Sequence, residues 1–86
     1  MEAKIITLPD WFEGQVYAEG GVVTNPFSGQ DYYLNNLELS MYDFIIGCNM
    51  LYELRGSLSD KLIGDMQKGI AWFGENNPEA FYVLLD

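Results

Sequence analysis

Residues 35–56 read NNLELSMYDFIIGCNMLYELRG, and this stretch decides the fold. Asn35 or Asn36 supplies a helix N-cap, with Glu38 close behind in the first turn. Gly56 is placed to stop the helix after about Leu54. With successive residues about 100° apart, one wide apolar arc collects Leu37, Met41, Phe44, Ile45, Cys48, Leu51 and Tyr52, and Gly47 sits at its margin. A second, narrower patch collects Leu39, Ile46 and Met50. Glu38, Asn49 and Glu53 border that patch on one side and Asp43 on the other. A helix with two apolar faces is expected to be sandwiched inside its own domain or to contact a partner.

Downstream, Ser57 or Ser59 caps a second helix that is expected to run to about Gly74. Leu58, Leu62, Ile63, Met66, Gly69, Ile70 and Phe73 share one face, and Asp60, Lys61, Gln67 and Lys68 take the other. Gly64 and Gly69 each cost such a helix roughly 1 kcal/mol relative to Ala. Gly69 lies in the apolar stripe, where it lets another backbone approach closely. Gly64 lies outside it. Asn77-Pro78-Glu79 then reads as an N-cap, a proline at the first helical position and an acid in the first turn. It opens a short terminal helix, Pro78–Leu85, docked by Phe81, Leu84 and Leu85.

Upstream, Gly21-Val22-Val23-Thr24 and Asp31-Tyr32-Tyr33-Leu34 are rich in β-branched and aromatic residues. Asn25-Pro26-Phe27-Ser28-Gly29 between them carries turn chemistry, with proline to fix φ and glycine for positive φ. The segment predicts a β-hairpin with a loop of about five residues. A lone hairpin is marginal in water and must pack on something. Residues 1–19 read as an arm punctuated by Pro9 and Gly14 and anchored by Trp11-Phe12. The expected fold is therefore α+β: one domain over residues 1–86, with arm and hairpin in 1–34 and a helical hairpin plus short C-terminal helix in 35–86.

Composition narrows the chemistry. The 86 residues include no histidine, one cysteine, thirteen acids and four bases, for a formal charge of −9. This excludes Ser–His and Cys–His nucleophile pairs and any His or multi-Cys metal site. The charge repels phosphates and anionic lipid, so no direct nucleic-acid or membrane binding is expected. It gives solubility and can attract a basic partner. Apolar residues at 49% and aromatics at 15% argue for a packed core rather than disorder. A chain of this mass buries roughly 64% of its surface on folding, enough for one core. A single cysteine cannot form an internal disulfide, and no apolar run approaches a membrane span or the layout of a signal peptide. A cytoplasmic location is expected.

No Gly-rich phosphate loop, dinucleotide fingerprint or EF-hand loop is present, and no cofactor or metal is expected. The carboxylate pairs Asp10–Glu13, Glu38–Asp43 and Asp60–Asp65 read as solvated surface acids, since paired carboxylates do chemistry only in a concave site that shifts their pKa values. Cys48, in the wide apolar arc, reads as a small buried hydrophobe. Trp72, at the edge of the second helix, reads as a cover for the core rim, a platform for Lys68 or a binding hot spot.

The runs Leu8-Pro9-Asp10-Trp11-Phe12, Gly21 through Gly29, Met41 through Gly47 and Met66 through Phe73 together resemble small proteins of marine tailed phages, cyanophages among them. The resemblance spans nearly the whole chain. That group has no assigned activity, so no residue roles carry over. It implies a viral protein made in the cytoplasm of an infected bacterium. The expected function is non-catalytic protein–protein interaction with a host or phage protein. A self-associating accessory protein, such as a homodimer, and a carboxylate-based enzyme are the alternatives. The candidate partner or self-association residues are Leu39, Ile46, Met50 and Trp72.

Overall fold

A computed structural model describes residues 7–85. The elements follow the expected order: β1 (Gly21–Thr24), β2 (Asp31–Leu34), α1 (Asn36–Arg55), α2 (Asp60–Asn76) and α3 (Pro78–Leu84). The fold is α+β, a two-stranded antiparallel hairpin followed by two long helices and a short one. Gly21 pairs with Leu34 and Thr24 with Asp31. The loop is six residues, Asn25–Gln30, one longer than expected, and the Asn25 N–H donates to the Gln30 carbonyl across its mouth (2.9 Å). Asn25 organises the turn. Its Oδ1 accepts from the N–H of Phe27 at 2.8 Å and of Ser28 at 3.3 Å. Its Nδ2 donates to the Val83 carbonyl at 2.8 Å, tying the loop to α3. Gly29 takes φ +75°, as turn chemistry requires.

Capping sets the helix ends. Asn35 and Glu38 form a capping box at the start of α1, and Gly56 closes its end at φ +77° with its N–H on the Tyr52 carbonyl. Ser59 caps α2, which runs two residues past the expected end, to Asn76. Asn77 then turns the chain and caps α3, accepting from the Ala80 N–H at 3.1 Å.

The core is Leu34, Met41, Ile45, Phe73, Ala80 and Leu84, with Cys48 buried at its edge. The helices α1 and α2 lie antiparallel, and Gly69 makes their contact close. A Cβ there would sit 2.9 Å from Met41 Sδ. The arm anchors as expected: Trp11, tilted, and Phe12, edge-on, pack against Phe44 with ring centroids 6.2 and 5.6 Å away. Further along, the Tyr17 N–H donates to Ser40 Oγ (2.9 Å) and its carbonyl accepts from Asn36 Nδ2 (3.2 Å).

Three expectations fail. Glu38 is buried, not solvated. Its Oε1 accepts from the Asn35 N–H at 2.9 Å and its Oε2 from Asn77 Nδ2 at 3.0 Å, joining the start of α1 to the α2–α3 corner. Asp65 is buried as well, and it accepts from Lys61 Nζ at 2.9 Å within α2. Leu51 and Tyr52, assigned to the buried arc, are 37% and 54% exposed, while Leu62 and Met66 opposite are only half-buried. Among the described residues, the far end of α1 is accompanied by the start of α2, with Gly14 and Gln15 of the arm alongside.

Candidate functional site

That end of α1 builds the site. Four large apolar side chains lie within five residues of α1 and all are exposed: Met50, Leu51, Tyr52 and Leu54, the last at 80%. Three of them, Met50, Leu51 and Leu54, join Phe44, Cys48 and Leu62 around a groove of about 480 Å³. Gly14 and Gln15 of the arm form its far edge, and Gly47 lies at its base. Gln15 and Asp43 are its polar residues.

Gly47 lines the groove. A glycine inside a helix costs roughly 1 kcal/mol relative to Ala. At Gly69 the loss is offset by the Met41 contact. At Gly47 a Cβ would meet nothing within 4 Å, so no described part of the chain uses the space. Gly64 is equally open, but it does not line the groove, and nothing in the structure explains it.

The groove is lined mostly by apolar side chains. Burial, and secondarily the Asp65 charge, raise the Cys48 thiol pKa above its ordinary value, which keeps it protonated and weakly nucleophilic. Asp43 is engaged with the arm: as hydrogen-bond acceptor it raises the Tyr17 phenol pKa, with burial and its charge adding to the shift. The hydrogen bond to Asp65 raises the Lys61 pKa, and Glu13, at 3.4 Å, adds to it. Among the described residues no three His, Cys, Asp or Glu side chains could hold a metal ion. None of the described helices is long and apolar enough to cross a membrane.

The four sequence candidates separate. Leu39 is half-buried under the hairpin, with its Cδ2 3.9 Å from where a Cβ on Gly21 would sit. Ile46 is half-buried and lines a second cavity of about 330 Å³ with Tyr42, Leu84 and the Asn25–Phe27 turn. Met50 alone reaches the groove. They share a side of α1, but the chain wraps that side differently at each height, so no continuous second apolar face exists. Trp72 covers the core rim, and its Nε1 donates to the Thr7 carbonyl at 3.2 Å. Sequence reading missed Leu54, Gly47 and Phe27, which stands 98% exposed on the Asn25 turn. A glycine mid-helix beside large apolar residues was the available signal for the groove.

No protein-family model matches the chain, and no curated protein or solved structure matches it.

Proposed function

We propose that this chain is a non-catalytic protein-binding domain whose contact surface is the groove at the far end of α1. One observation carries the reading: Met50, Leu51 and Leu54 stand exposed around a cavity that a helix glycine also lines, with open space where its side chain would be. Large exposed apolar clusters cost solubility and are kept where they are covered on binding. Self-association through the same groove is the weaker reading, since two copies at −9 each repel. The resemblance to phage proteins, where it holds, sets the partner in the cytoplasm of an infected bacterium.

Capture from such a lysate with three baits tests the reading. Leu54→Asp lies in the groove. Tyr82→Asp lies on α3, where Tyr82 is equally solvent-facing, and serves as the control. Both should melt as the parent does. Partners retained by the parent and Tyr82→Asp but lost by Leu54→Asp are the expected result. Equal retention by all three would show that binding does not use the groove.

A further inference from the structure

The groove has the shape and charge of a site for one particular kind of ligand. We infer that it takes a basic amphipathic helix of about three turns, presenting large apolar side chains at i, i+3 or i+4, and i+7 with Lys or Arg flanking them. This rests on the reading of the groove as a protein-binding surface and specifies its occupant.

Length and surface pattern come first. Along α1 the groove extends from Asp43 to Leu54, and eleven residue steps at 1.5 Å make about 17 Å, the length of three helical turns. Gly47, Met50 and Leu54 follow one another at helical spacings of three and four. The surface is thus a helix flank with one ridge residue missing. Ridges of a second helix pack into such a gap, and a glycine lets the two axes approach most closely. An extended peptide would instead need unpaired backbone groups to bond, and a helix flank offers none.

Charge fixes the flanks. Asp43 lines the wall, and Glu53 stands exposed one turn beyond Met50. Glu13, next to Gly14 on the arm edge, and Asp65, behind Cys48, share the single charge of Lys61. Asp60 opens α2. The bases around the groove are Lys61, so divided, and Arg55 at the distal end. Five acids against two bases leave this end of the molecule negative, and the carbonyl end of α1 adds to it. Cationic flanks gain from that field, and acidic flanks or a second copy of this chain lose.

Fluorescence anisotropy with labelled synthetic 14-residue peptides tests the inference. The first pairs an apolar leucine face with lysine flanks. The second keeps the leucine face but carries glutamate, and the third scrambles the Leu/Lys sequence. Gly47→Leu, which fills the base of the groove without changing charge, is the companion variant, and the parent chain's mass is measured by sedimentation. The Leu/Lys helix should bind at least tenfold more tightly than either other peptide, weaken severalfold from 50 to 500 mM salt, and lose at least tenfold on Gly47→Leu. Equal binding of the scrambled peptide, or indifference to Gly47→Leu, would reduce the effect to bulk charge attraction and overturn it. Equal binding of the Leu/Glu helix, abolished by Gly47→Leu, would overturn the basic partner while leaving the groove as a binding surface. A dimer broken by Gly47→Leu would make a second copy the occupant and overturn it too. Should no peptide bind while Leu54→Asp still loses captured partners, the helical occupant falls and the parent reading stands.

Discussion

The two halves of α1 are equally apolar and meet opposite fates. In the first half, Met41 and Ile45 are fully buried and Glu38 and Ser40 nearly so. The arm, the hairpin, α2 and α3 all press on that half, and even its polar residues are consumed as caps and clamps. In the second half, Met50, Leu51, Tyr52 and Leu54 lie open to solvent. The helix is 20 residues long, about 30 Å at 1.5 Å per residue, and the described residues cover its second half less than its first. Apolar content measures what a helix can bury. Whether it does bury depends on how far its neighbours reach.

The sharpest way to break this comparison is to truncate one large side chain in each region. Phe73→Ala removes a fully buried ring packed 6.2 Å from Tyr42 and should cost about 3–5 kcal/mol in denaturant unfolding. Leu54→Ala, in the second half of α1, should change stability by less than about 0.5 kcal/mol. Similar losses at both positions would mean that the far end of α1 is packed after all.

Glu38 sharpens the picture within the buried half. Glu38→Ala strands the Asn35 N–H and Asn77 Nδ2, and leaving such donors unpaired should cost about 1–3 kcal/mol. Glu38→Gln keeps a carbonyl acceptor for one of them and should cost less. An unchanged melting midpoint for Glu38→Ala would sink the claim that it joins α1 to the α2–α3 corner.

Smallest is the effect of the open glycines. Gly47→Ala and Gly64→Ala add a methyl where nothing lies within 4 Å, and each should stabilise the free protein by about 0.5–1 kcal/mol. Only Gly47→Ala should also weaken groove binding. If it destabilises, the space at Gly47 is already occupied and the groove is not open. A glycine whose replacement improves the fold while harming binding is held for the contact rather than for the fold.

Much of the secondary structure was legible in the residues because its signals are local. Asn35 with Glu38, Gly56, Ser59, Asn77-Pro78 and the Asn25–Gly29 turn each act over four or five residues, and their elements appear where those residues place them. A close contact at Gly69 was legible in part: the glycine interrupts an apolar stripe, but the Met41, Ile45 and Trp11 side chains fill the space rather than another backbone. The site was not. Leu39, Ile46 and Met50 share one side by angular position, yet Leu39 lies under the hairpin, Ile46 beside the turn and α3, and Met50 in the groove. Helical periodicity reports angle around an axis and carries no information about which element covers each height along it.

By itself, then, the sequence determined the order, type and caps of the elements, and it ruled out histidine- and multi-cysteine-based chemistry by lacking those side chains. Only the tertiary structure decided which apolar residues are core and which are surface. It buried Glu38 against Asn77 of the α2–α3 corner, and among the described residues it left Leu51, Tyr52 and Leu54 exposed. The physical reason is that capping and turn formation act between near neighbours in the chain. Burial is set by where segments distant in sequence come to rest.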